Sequence, residues 1–138
     1  MPSQIKGEYT MNLTVLPEKL SVVRYAVGAV LPEWVFQGGS FWNIMKTSDE
    51  LSIVCETSRI PTAETYVKIE SGFRAIKVEG PLDFALTGIL SKLIRPLADH
   101  EISIFALSTY DTDYVLVKEV TLERTVELLK ADGHLIFE

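Results

Sequence analysis

The chain has 138 residues, 47% of them apolar and 23% charged, which suits one compact domain or two small ones sharing a core and speaks against disorder. A formal net charge of -6, with no run of lysine or arginine, argues against a phosphate-tracking surface, so neither nucleic acid nor anionic membrane is an expected partner. Cys55 is the sole cysteine, which rules out an internal disulfide and a cysteine-built zinc cluster and fits a reducing compartment. The N-terminal stretch MPSQIKGEYTMNL has no apolar signal region, and Pro32 and Glu33 break YAVGAVLPEWVF well short of a membrane span. A cytoplasmic protein is expected.

In chain order, Asn12 to Leu16 reads as a first strand, after which Pro17 opens a predicted helix with Leu20, Val23 and Val27 at helical spacing. Gly28 to Gly39 is a loop. Phe41 to Lys46 and Leu51 to Cys55 are short strands flanking the turn Thr47-Ser-Asp-Glu50, and so make a hairpin. Thr57 to Thr65 contains Pro61 and allows only a brief helical turn before Tyr66 to Ile69 becomes extended. A strand over Arg74 to Glu79, a Gly80-Pro81 turn and a helix over Leu82 to Leu97 come next. That helix carries Leu82, Leu86, Ile89, Leu93 and Leu97 on one stripe, and Pro81 and Asp83 suit its first turn. Ile102 to Leu107 and Tyr114 to Lys118 form a second hairpin around the corner STYDTD. Thr121 is placed to cap a helix with Leu122, Val126 and Leu129, Gly133 to end it, and His134 to Phe137 to supply the last strand.

The second half thus follows the βαββαβ order of a ferredoxin-like unit, with an antiparallel sheet and both helices on one face. The first half repeats it imperfectly. Pro17 answers to Pro81, Thr47 to Thr109 and Glu56 to Glu119, while the second helix, due near Arg59 to Thr65, is stunted. The expected fold class is α+β, with two such units in tandem: a degenerate one over residues 10–70 and a complete one over 71–138.

The corner STYDTD, residues 108–113, carries more hydroxyls and carboxylates than turning a chain requires, which marks it as a candidate binding corner. Both aspartates also suit the turn itself, since such side chains accept backbone N–H bonds. Other chemistry lacks its signatures. His100 and His134 are not at metal-ligand spacing, and no nucleophile elbow, Rossmann fingerprint or phosphate loop is present. No cofactor, metal or catalytic residue is therefore expected. Trp34 and Trp42 are read as core or interface anchors.

Three stretches, FWNIMKTSDELSIVCE, RAIKVEGPLDFALTGILSKLIRPL and above all ISIFALSTYDTDYVLVKE, resemble the ACT-domain proteins, specifically the tandem-ACT family of the CASTOR type. The resemblance implies a regulatory module without catalysis that binds an amino acid where two units meet, commonly by joining their sheets edge to edge. It implies ligand contacts at Ser103 and Ile104, at Gly80 and Asp83, and at Thr109, Tyr110 and Asp113. CASTOR chains carry four units and this one about two, so a complete site implies a homodimer. A free amino acid suits such a seam, because its carboxylate seeks unpaired backbone N–H groups and its ammonium seeks carbonyls and a carboxylate. Two rival expectations remain: a pairing module without ligand, and a ferredoxin-like enzyme acting on a small acidic substrate.

Overall fold

The computed structural model describes residues 10–80 and 88–138. In chain order the elements are β1 (Asn12–Val15), β2 (Leu20–Tyr25), β3 (Trp42–Lys46), β4 (Leu51–Glu56), β5 (Lys68–Val78), α1 (Ile89–Asp99), β6 (Ile104–Ser108), β7 (Asp113–Lys118), α2 (Leu122–Ala131) and β8 (Leu135–Phe137). Short 3-10 turns occupy Glu33–Phe36, Thr57–Arg59 and Glu119–Thr121. The chain divides into two compact units. One is Glu18–Phe73, and the other comprises the segments up to Pro17 and from Arg74 onward. β1 therefore groups with the C-terminal residues rather than with residues up to 70, because its partners are the end of β5, antiparallel, and β8, parallel.

In Glu18–Phe73 the helix expected after Pro17 is strand β2. Leu20, Val23 and Val27 do fit a helical stripe, but LSVVRY is rich in β-branched and aromatic residues and hydrogen-bonds on both sides, to β4 and to β5. Pairing along two edges outweighs a three-residue periodicity, and Val27 lies exposed beyond the strand. The strands run in the order β3-β4-β2-β5, every neighbour antiparallel. Val23, Tyr25, Val35, Leu51, Ile53 and Cys55 make the core of this unit. The β2–β5 register shifts between Leu20 and Val22, opposite Ser71 and Gly72, and Gly72 takes the left-handed φ of 85° that such a bulge favours. The fully buried Ser21 is satisfied there by the hydroxyls of Thr57, at 2.7 Å, and Ser71, at 2.8 Å.

No α-helix occurs among the described residues of this unit, and polar pins hold its connections instead. The Arg59 guanidinium donates to the carbonyls of Trp34, Val35 (3.3 Å) and Gln37 (2.5 Å), closing off the Glu33–Phe36 turn that buries Val35. Glu64 accepts the Tyr25 hydroxyl at 2.6 Å and the Trp34 indole N–H at 3.1 Å. The Glu56 carboxylate accepts the backbone N–H of Ser40 at 2.6 Å and of Phe41 at 3.2 Å. After the Thr57–Arg59 turn Ile60 is extended, as a residue before proline should be, so Pro61 prevents a helix from propagating.

The other unit has the strand neighbours β8-β1-β5-β7-β6 with two helices. Ile89, Leu93 and Leu97 of α1 and Val126 and Leu129 of α2 pack with Leu13, Val15, Ile76, Val78, Val115 and Val117, so both helices cover one sheet face. The stripe expected over Leu82–Leu97 is seen from Ile89, and α1 continues to Asp99; residues 81–87, including Pro81, Leu82 and Leu86, lie outside the described residues. Thr121 does not cap α2 with its side chain: its hydroxyl donates to the Lys118 carbonyl at 3.0 Å. Gly133 ends α2 with a φ of 98°, as expected.

The two hairpins repeat each other. β3 and β4 pair from Trp42–Cys55 to Lys46–Leu51, and β6 and β7 pair from Ile104–Val117 to Ser108–Asp113, the same register moved by the distance from Thr47 to Thr109. The turns share their bonds. Thr47 N–H donates to the Glu50 carbonyl at 2.9 Å and Thr109 N–H to that of Thr112 at 2.8 Å, while the N–H groups of Glu50 and Thr112 each return 3.2 Å bonds to the threonine hydroxyls. The 3-10 turns Thr57–Arg59 and Glu119–Thr121 keep the same spacing.

Candidate functional site

The STYDTD corner is fixed to the end of β5. Thr109 brackets the turn with its N–H and hydroxyl, and the buried Thr112 hydroxyl donates to the Val78 carbonyl, two residues before Gly80. Beside this joint lies a cleft of about 200 Å³ lined by Lys77, Gly80, Thr109, Asp111, Thr112 and Tyr114. All six come from the unit containing residues 74–138.

Of the residues expected to contact ligand, Gly80 and Thr109 thus share one cleft. Tyr110 stands at the tip of the corner, 81% exposed. Asp113 does not line the cleft; its carboxylate accepts the Ser108 hydroxyl at 2.5 Å, directly across the hairpin. Strand alternation accounts for this, because Asp113 and Tyr114 must face opposite sides of the sheet, and Tyr114 is the one in the cleft. Ser103 and Ile104 lie at the far end of the same hairpin, where Ile104 pairs with Val117, and so are not brought to this cleft within one chain. Asp83 lies outside the described residues.

Lys77, Thr112 and Tyr114 were not singled out from the sequence. The signals were there: Thr112 completes a Thr-x-x-Thr bracket, and alternation places Lys77 and Tyr114 opposite the core residues Val78 and Val115. Lys77 is tethered by Glu79 at 3.4 Å, and Glu79 in turn accepts the Thr14 hydroxyl at 2.6 Å. That hydroxyl, with help from Lys77, holds the Glu79 carboxyl below its ordinary value. Two wider grooves run along exposed helix faces, one of about 370 Å³ beside Lys92 and Arg95 and one of about 500 Å³ beside Glu123 and Glu127. They include none of the expected contact residues.

Two other buried groups are perturbed by their surroundings. Burial pushes the Cys55 thiol up to about 11, so it is no nucleophile at neutral pH. Burial likewise lowers the basicity of His134, whose Nδ1 accepts the Met11 N–H at 3.1 Å. No group of three or more metal-ligating side chains is found among the described residues. No helix among them is long and apolar enough to cross a membrane.

A family profile for the ACT domain matches residues 68–131, the stretch that contains the cleft, and a second profile, for an N-terminal domain, matches residues 18–63. The cytosolic arginine sensor for mTORC1 subunit 1 of Bos taurus is 28% identical over 97 residues, which cover 64% of this chain and 30% of that protein. The chain thus spans about a third of the length of such curated relatives. A crystal structure of an Agobacterium tumefaciens protein is 38% identical, covers 93% of this chain and 92% of that one, and superposes with a TM-score of 0.83. Aspartate kinase of Clostridium acetobutylicum, at 14% identity, shares the fold over 83% of this chain and 33% of its own with a TM-score of 0.63. The fold is mixed α+β, and it carries the cleft within the ACT match. Residues 68–131 thus match the ACT-domain family, and the chain is similar to proteins of the CASTOR type.

Proposed function

We propose that the protein is a cytoplasmic, non-catalytic sensor that binds an amino acid, or a similar zwitterion, where ACT units of two copies meet. The observation that supports this most is the cleft joining Gly80 to Thr109 inside the ACT match. An amino-acid carboxylate there takes N–H donors from the backbone around Gly80, and its ammonium takes Asp83 or Asp111. Ser103 and Ile104 of a second copy complete the wall. Within one chain Ile104 begins β6 and Ser103 lies just before it; β6 pairs only with β7 among the described residues and so leaves an edge open for a partner strand. Ligand that touches both copies shifts the population toward the joined state, which is how a module without catalysis signals.

The tandem reading belongs with this proposal. In Glu18–Phe73 the strand order β3-β4-β2-β5 is that of a βαββαβ sheet, with both helical crossovers reduced to loops and 3-10 turns. The matched hairpins support descent of both units from one module. Calorimetry of the purified chain against the twenty amino acids, with sedimentation run in parallel, tests the sensor reading. Saturable heat and ligand-strengthened dimerisation are expected; no heat and no thermal shift at millimolar concentration sink it. A second reading, a pairing module without ligand, has one observation in its favour: β6, IFALS, carries none of the charges or prolines that usually protect an edge strand. A dimer indifferent to every amino acid would select it.

A further inference from the structure

We infer that the cleft selects an amino acid with an acidic side chain, and that Lys77 is the residue that reads it; this rests on the reading of the cleft as an amino-acid site. Two independent placements carry the inference.

The first is Lys77. It projects from β5 into the cleft, while Glu79, on the same outward row, does not line it. Glu79 is held toward β1 by the 2.6 Å bond from Thr14, and from there it tethers the Lys77 ammonium at 3.4 Å. A lysine ammonium has three donors, and one carboxylate oxygen engages only part of them. The cleft floor therefore presents a positioned cation with donor capacity to spare. Fixing it in advance lowers the ordering cost that a long lysine side chain otherwise imposes on binding.

The second is Asp113, a carboxylate that the family resemblance places at the ligand. It is turned away and spent on Ser108 across the hairpin. Among the described residues the cleft's carboxylate is Asp111, on the turn, where it suits an α-ammonium. The cleft thus offers a ligand both the Asp111 carboxylate on the turn and the Lys77 ammonium on β5, with Gly80 beside them. Aspartate and glutamate carry an ammonium for the one and a second carboxylate for the other. Arginine and lysine would set a cation against Lys77.

The full-length chain titrated with aspartate, glutamate, asparagine, glutamine and arginine, as wild type and as Lys77→Met and Lys77→Arg, tests this by calorimetry. An acidic ligand should bind about ten- to a hundredfold more tightly than its amide, the value of a charge-assisted bond over a neutral one. Lys77→Met should erase that preference without abolishing binding of the amide, and Lys77→Arg should keep it. Circular dichroism and melting of both variants guard against misfolding, and the arginine variant keeps the test decisive if the methionine variant fails to fold. Tighter binding of arginine than of glutamate, or an acidic preference that survives Lys77→Met, overturns the role of Lys77 and leaves the amino-acid site standing. Silence of the wild type toward all five ligands and the remaining amino acids removes the underlying reading instead.

Discussion

Replacing Thr112 by valine should loosen the STYDTD corner without changing its shape. Thr112 is 5% exposed, and its hydroxyl is the donor to the Val78 carbonyl at the end of β5. Valine fills the same space, so the perturbation is the loss of one donor. A buried carbonyl left unpaired costs about 1–3 kcal/mol, and the more apolar methyl returns part of that, on the order of 0.8 kcal/mol. The net destabilisation is about 0.2–2.2 kcal/mol. With an unfolding entropy of about 2.1 cal/mol/K per residue, a chain of 138 residues loses roughly 1–8 °C in Tm.

Urea unfolding checks the magnitude, with an unchanged m-value as the sign that the native fold persists. Thr112→Ser retains the hydroxyl and should recover most of the loss. Exchange of the amide hydrogens of Thr109 and Thr112, which close the turn, should quicken in the valine variant before exchange in the β7 core does. A valine variant as stable as wild type or more so, or a serine variant equally damaged, refutes the reasoning that this hydroxyl ties the corner to β5.

Three further outcomes follow from the same geometry. Both helices end in a left-handed residue whose flanks bond back to the helix, Gly133 after α2 but Glu101, with φ of 59°, after α1; Glu101→Gly should therefore stabilise the chain by about 0.5–1 kcal/mol in urea unfolding. Arg59→Lys keeps the charge but loses the fork that holds three carbonyls, so it should cost about 1–3 kcal/mol and redden the emission of Trp34. His134 is less basic folded than unfolded, because burial disfavours its cation and protonating Nδ1 would break the bond from Met11. The unfolded chain therefore takes up the extra proton, and stability should fall as pH drops through the ordinary histidine range of about 6.5, continuing until the folded-state value is passed. His134→Gln should flatten that limb in urea titrations between about pH 7 and 5.5, whereas the fall from Glu56 and Glu79, both held below their ordinary values, begins only near the carboxylate range.

The parts of the fold legible in the sequence are those in which side chains declare their own geometry. The STYDTD hairpin, its counterpart at Thr47–Glu50 and the termination of α2 at Gly133 depend on residues within a few positions of one another, and each forms as its turn chemistry dictates. β2 was not legible as a strand, because its three-residue stripe fits a helix and the decision is made by β4 and β5, whose paired residues lie 26 and more positions away. The connections of Glu18–Phe73 were equally hidden: Arg59, Glu64 and Glu56 do what a buried helix face does elsewhere, and polar pins leave no periodicity to read.

The candidate site divides along the same line. Gly80 and Thr109 were found because each sits at a turn, and a turn is a local object. Asp113 and Tyr114 were exchanged because choosing between adjacent residues of a strand requires its face, which is set by Val115 packing into the core and not by anything in the corner itself. That exchange has a chemical consequence. The resemblance places the Asp113 carboxylate at the ligand, whereas the folded cleft presents the Tyr114 ring at that step of the strand, beside Lys77 and Asp111.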